Sequence, residues 1–356
     1  MSQATATSTL LKGRGAQFNP DNAFLRQHAD ILYPEGIDAH EVSGPDTRFL
    51  ADFPKKILNK VDSTDVGMQW SINPYQGCEH GCVYCYARNS HTYWGYSAGL
   101  DFESRIIYKP HAPQLLEAAF RHPSWQPQTV SLSGNTDCYQ PVERKMKLTR
   151  ELLQVCLQYR NPVSIITKSS LVLRDMDILK ELAALQLVKV VLSVNGTNEV
   201  TREKLEPRTS TYKKRMEVVE QLSAAGIPVG VLIAPVIPGL NDHEMPEVIR
   251  RAAKHGAESV GYIVLRLNGA VAQIFEDWVH KAFPYRAAKI LQQVKELHGG
   301  QLNDSRIGIR MKGEGTWSDH LQALFQVTQQ KYFAEKTATR LATCHFRKSR
   351  QMLLDF

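Results

Sequence analysis

Three cysteines constrain this chain more than any other feature. The segment Asn73 to Arg88 reads NPYQGCEHGCVYCYAR and places Cys78, Cys82 and Cys85 in the pattern C-x3-C-x2-C. Thiolates this close together can bind a metal from one short loop, and as soft donors they suit zinc, copper(I) or an iron–sulfur cluster. Gly77 and Gly81 let the backbone fold back so that the sulfurs converge. No fourth cysteine follows at short spacing. A four-iron cluster held this way has three irons ligated and one open to a small molecule. A structural zinc site completed by His80 or His91 is the alternative donor set. Zinc motifs usually come as two separated pairs, however, and this one is a single triplet.

The rest of the chain sets the frame. Its 356 residues contain six cysteines, three of them bunched, which does not make a secreted disulfide framework. Clustered free thiols suit a reducing cytoplasm. No run of 18 apolar residues exists, so no membrane association is expected. The net charge of +7 permits an anionic partner such as DNA. Residues 1–68 read as an N-terminal extension, partly disordered and broken by Pro20, Pro34, Pro45 and Pro54. Residues 69–300 read as the core, and 301–356 as a C-terminal extension with a basic tail.

Within the core, β-branched runs alternate with amphipathic segments. Strands are expected at Trp70–Pro74, Thr129–Ser133, Val163–Thr167, Lys189–Val194, Val229–Ala234 and Ser259–Leu265. Helices are expected at Leu148–Tyr159, Met176–Leu185, Tyr212–Ala225 and Met245–His255, with Gly226 and Gly256 as C-caps. Six strands alternating with helices give an α/β fold with a parallel sheet, either doubly wound or a partial barrel. In a barrel the loops after the strands form the site. Those loops carry the cysteines, then Ser133, Asn135 and Asp137, then Thr167 to Ser169, Ser193 and Asn195, Pro235 and Asn241, and Arg266.

The cysteine spacing, with aromatic Tyr84 before the third cysteine, resembles the radical S-adenosylmethionine superfamily. Asn73 to Asp101 resembles more closely the branch grouped with spore photoproduct lyase, often labelled DNA repair photolyase-like. SGNTDCYQPVE (Ser133 to Glu143), LEPRTST (Leu205 to Thr211) and IAPVIPGLND (Ile233 to Asp242) are further matches.

The resemblance implies a partial (β/α)6 barrel of the radical S-adenosylmethionine type, carrying N- and C-terminal extensions. It implies a [4Fe-4S] cluster on Cys78, Cys82 and Cys85, with S-adenosyl-L-methionine on the open iron. One electron would cleave the sulfonium to a 5′-deoxyadenosyl radical that abstracts hydrogen. A flavodoxin or ferredoxin would supply the electron. DNA-lesion repair is the substrate expectation from the branch. Modification of RNA, protein or a metabolite is an alternative, and a non-catalytic metal-bound nucleic-acid-binding protein is another.

Cofactor contacts follow by analogy. The backbone near Tyr84 would meet the adenine, and Pro235 would line its pocket. Ser133-Gly134-Asn135 stands where the superfamily often has Gly-Gly-Glu, and Asp137 could take the methionine ammonium. Ser193 and Asn195 are placed for the ribose or methionyl group. Arg208 would pair with the methionine carboxylate, or with Glu206 or Glu203. Cys138 is a candidate hydrogen donor or a core filler. The C-terminal hexapeptide Gln351 to Phe356, QMLLDF, resembles peptides that dock on the bacterial sliding clamp; packing back on the barrel is the competing expectation.

Overall fold

The computed structural model describes residues 10–22, 24 and 46–348. In chain order the elements begin with β1 (Arg48–Ala51), β2 (Leu58–Lys60), β3 (Trp70–Ile72) and the short β4 (Tyr75–Gln76). Helix α1 (Leu100–Ser104), β5 (Arg105–Tyr108) and α2 (Ala112–Arg121) follow. Strands and helices then alternate through β6 (Val130–Leu132), α3 (Glu143–Met146), α4 (Leu148–Tyr159), β7 (Val163–Thr167), α5 (Met176–Ala184) and β8 (Val188–Ser193). Next come α6 (Glu199–Leu205), α7 (Tyr212–Ala224), β9 (Val229–Val236), α8 (Met245–Lys254) and β10 (Ser259–Val264). Helices α9 (Ala270–Ala282), α10 (Ala287–Leu297) and α11 (Gly315–Phe333) come last.

The main sheet runs β10-β9-β8-β7-β6-β3-β2. Its six core strands are parallel neighbours, and β2 joins the edge antiparallel to β3. This is the expected six-unit partial barrel. The expected strands and helices fall within two residues of the observed ones, and Gly226 and Gly256 take left-handed conformations just past α7 and α8. A second sheet, β1-β5-β4, was not expected.

Alternation along the strands explains the layering. Val130, Leu132, Val163, Ile165, Val188, Val190 and Leu192 point outward and are buried beneath the helices. The intervening Ser71, Ser131, Ser164 and Lys189 lie in one cross-strand register on the inner side. Ser131 and Ser164 share a 2.8 Å hydrogen bond there.

The chain after α11 runs beneath the barrel, along the N-terminal ends of the strands. Lys336 Nζ donates to Ala253 O and Ala257 O, just before β10. Ala342 N donates to Gln186 O before β8, and Arg347 N to Tyr159 O before β7. Phe346 packs edge-on against Phe120 of α2. The basic tail as far as Lys348 therefore lies at the end opposite the cysteines, with Lys336 engaged as a cap on carbonyls. Gln351 to Phe356 lie outside the described residues.

Candidate active site

The cysteine loop leaves β3 and β4 at the C-terminal end of the barrel. Gly77 and Gly81 both have positive φ, 75° and 67°, as convergence of the sulfurs requires. Cys78 and Cys82 are buried and Cys85 is half-buried; all three are free thiols. Burial pushes the Cys78 thiol well up, with Asp137, Cys82 and Cys85 adding to the effect. Burial likewise pushes Cys82 up to about 12, against the opposing pull of Lys168. The neighbouring Cys85 adds to the rise of both Cys78 and Cys82, which places the three sulfurs around one small space. Among the described residues, no group of three or more Cys, His, Asp and Glu side chains gathers as a single-ion site would. A cluster asks less, since each thiolate meets its own iron.

The loop's backbone is fixed from every side. Arg88 has no solvent exposure. Its Nε and Nη2 donate to Cys82 O at 3.0 and 2.8 Å, and Nη1 donates to Ala98 O and Gly99 O. Its Nη2 also meets Glu103 Oε1 at 2.5 Å. Glu103 in turn accepts from Gly15 N and Ala16 N, and Arg14 Nη1 donates to Glu103 O. The segment around Arg14 is therefore part of the cysteine-loop shell. On another side Gln140 accepts from Glu79 N and donates to Gly77 O. Cys78 N donates to Phe102 O, Val83 N to Leu205 O and Arg208 N to His80 O.

Beneath the loop lies a buried ion pair. Arg215 Nη2 meets Glu206 Oε2 at 2.5 Å with neither side chain exposed. Arg215 also donates to Ser193 O and Ser210 O, tying the end of β8 to the EPRTS turn. The Tyr84 hydroxyl donates to Glu206 Oε1. Lys168 stands above this pair with its ammonium 5.9 Å from the Tyr84 ring centroid. Its Nζ has no hydrogen-bond or ion-pair partner among the described residues. Burial would lower the Lys168 pKa, but Cys82, Glu206, Asp137 and Cys85 together raise it.

The expected site residues divide by geometry. Asn195 is buried; its Oδ1 accepts from Tyr212 while its Nδ2 has no partner among the described residues. Ser193 Oγ donates to Ala234 O, and Pro235 O accepts from Asn241 Nδ2. Asn135 Nδ2 reaches Gln76 and Ser90. Ser133 has φ 72° and its Oγ accepts from Cys138 N. The Asp137 carboxylate is filled by Thr167 Oγ1, Tyr139 N and Lys168 N, with His80 Nδ1 at 3.3 Å. An ammonium would have to displace one of these. Burial alone would push Asp137 up, but His80 and these hydrogen bonds hold it at about 2. Arg208 is half-buried, and among the described residues no ion pair joins it to Glu206 or Glu203. Cys138 has no exposure and lies in the main core. His91 is also buried, its ring beneath Gly77, and burial lowers its pKa to about 4.

Sequence reading missed Arg14, Arg88, Glu103, Glu206 and Arg215 as site-forming residues. Arg88 ends the cysteine motif itself, and Arg14 lies in an acid-free Gly-Arg-Gly stretch; those were the available signals.

The Radical SAM superfamily model matches residues 72–252. An uncharacterised protein of Mycobacterium tuberculosis is 31% identical over 268 residues, 74% of each chain. An uncharacterised protein of Methanocaldococcus jannaschii is 33% identical over 190 residues, 53% of this chain and 69% of its own. Among solved structures, spore photoproduct lyase complexed with dinucleoside spore photoproduct superposes with a TM-score of 0.59 at 14% identity, covering 80% of this chain and 79% of that one. Its mutant with bound AdoMet gives 0.60 over 83% and 82% at the same identity. That likeness is one of fold. The family match and the cysteine loop together establish that this chain belongs to the Radical SAM superfamily.

Proposed function

We propose that this chain is an iron–sulfur enzyme that uses S-adenosylmethionine to abstract hydrogen from a substrate C–H bond. The observation that carries the reading is the cysteine loop itself: three free thiols on a backbone held by Arg88 and Gln140. When bound, the cluster and S-adenosylmethionine supply one-electron cleavage of the sulfonium and a 5′-deoxyadenosyl radical.

The chain's own residues bind and orient. Cys78, Cys82 and Cys85 hold the cluster. Lys168, a cation without a local acceptor, takes the methionine carboxylate. Asn195 offers its unpartnered Nδ2 to the bound cofactor. The Glu206–Arg215 pair fixes Tyr84 and the end of β8 on either side. An acidic low-potential protein of the flavodoxin or ferredoxin type is the electron donor.

For the substrate we favour nucleic acid, including lesion DNA. The net charge of +7 and the fold shared with a lyase that binds a dinucleoside photoproduct support this. S-adenosylmethionine binding tests the reading. Added to the reduced, reconstituted protein, it should alter the cluster's electron paramagnetic resonance spectrum. Lys168→Ala should weaken that binding about tenfold, the scale of one charge-assisted hydrogen bond. An unaltered spectrum at saturating cofactor would sink the proposal.

A further inference from the structure

The barrel has a seam. Strand β10 lies at one edge of the main sheet, and β2 and β3 at the other. The loop 306–311 spans the gap between them. Val264 N of β10 donates to Met311 O at 3.1 Å. Asp65, in the β2–β3 loop, accepts from Arg310 Nε at 2.6 Å and from Gly308 N at 3.0 Å. Arg310 Nη2 also donates to Ser63 Oγ.

Arg266 emerges here, two residues past the end of β10. Its Nε is shut away from solvent and has no hydrogen-bond partner among the described residues. Among the described residues its Nη1 meets only Met311 Sδ, at 3.5 Å, and a thioether is a weak acceptor. A buried guanidinium N–H left unsatisfied is costly. Among the described residues Arg266 has no ion pair, and the carboxylate in its neighbourhood, Asp65, is bonded to Arg310. Burial and the nearby Arg310 both lower the Arg266 pKa. Tyr86, next to Cys85 and half-exposed, lies within electrostatic reach of both Lys168 and Arg266. The seam is therefore short of one anion on the cysteine side of the barrel.

We propose that Arg266, backed by Arg310, receives a phosphate group of the substrate at this seam. A phosphate carries oxygens in more than one plane, so it can fill the Arg266 fork and still face a second cation. The inference rests on the reading of the chain as a radical enzyme, because it assigns the group to that enzyme's substrate. The phosphate is either a nucleic-acid phosphodiester or that of a small phosphorylated molecule.

Binding to the reconstituted full-length protein tests this without any turnover. The probes are a fluorescently labelled single-stranded hexathymidylate, its uncharged methylphosphonate counterpart, and inorganic phosphate detected by calorimetry. The wild type should bind the phosphodiester and not the methylphosphonate. Arg266→Gln should weaken binding about tenfold and lower the salt dependence by about one phosphate contact. Arg310→Gln should weaken it by a smaller factor. Iron content and melting temperature identify any variant that fails to fold, and Arg266→Lys, which keeps charge without the fork, then serves as the second variant. Inorganic phosphate bound through Arg266, with no oligonucleotide binding, would assign the site to a small phosphorylated substrate. Unchanged affinity in the variants overturns the proposal. So does equal binding of the methylphosphonate, or binding of neither phosphate probe by the wild type. Failure of the radical-enzyme reading looks different: no cluster-dependent response to S-adenosylmethionine, whatever the oligonucleotide does.

Discussion

Glu103 and Arg88 meet at 2.5 Å with neither side chain exposed to solvent. This pair joins three stretches of chain: Arg88 holds the carbonyl of Cys82, while Glu103 holds the amides of Gly15 and Ala16. Truncating one partner leaves the other charge buried and alone. Glu103→Ala should therefore cost about 3–5 kcal/mol of stability. It should also reduce the iron retained after reconstitution, because the Cys82 backbone loses its brace. Chemical denaturation and iron analysis read the two effects, and a variant with wild-type stability would contradict the role given to the pair.

Gly15 supplies a sharper test of the same shell. A Cβ built there would lie 1.7 Å from Gly81 O. Neither backbone can yield without lifting the Arg14 segment off the cysteine loop. Gly15→Ala should lower iron retention and speed cluster loss in air. Gly67→Ala is the matched control: its φ is +58°, but nothing lies within 4 Å of the added atom. The control should cost about 1 kcal/mol and keep its iron.

Much of this was legible from the chain alone. The cysteine triplet marked the loop at the C-terminal end of the barrel, and β-branched runs with flanking glycines placed the core strands and four helices. The sheet β1-β5-β4 was not legible, because a two-residue strand such as Tyr75–Gln76 has no periodicity to detect. The Arg14 segment escaped because hydrogen bonds to Glu103, and not an apolar stripe, hold it down. Glu206 and Arg215 escaped for a related reason: a charge has the same letter in sequence whether it is solvated or paired in the interior.

Asp137 should make stability depend on acid. Its carboxyl is held at about 2, below the ordinary value near 4. A depressed folded-state pKa stabilises above the unfolded value, and the contribution is lost as pH falls toward 2. The shift corresponds to about 2–3 kcal/mol. Asp137→Asn in the cluster-free protein should lose about that much at pH 6–7. The gap to wild type should close as pH drops from about 4 to 2. Urea denaturation across that range checks it; a gap that does not change with pH would assign the loss to packing instead.

The strap under the barrel should support stability and leave the cysteines alone. Phe346→Ala removes a half-buried ring from Phe120. It should cost about 1–3 kcal/mol, less than a fully buried phenylalanine. Iron stoichiometry should not change, because the strap lies at the opposite end of the strands. Iron loss in this variant would show that the two ends are coupled.

The most direct test of the central claim is 5′-deoxyadenosine formation by the anaerobically reconstituted protein. With about four iron per chain, a strong reductant and S-adenosylmethionine, the wild type should release 5′-deoxyadenosine. Replacing Cys78, Cys82 or Cys85 with Ala should abolish both iron and product. A colourless protein with stoichiometric zinc, or a four-iron protein that yields no 5′-deoxyadenosine, would contradict the account.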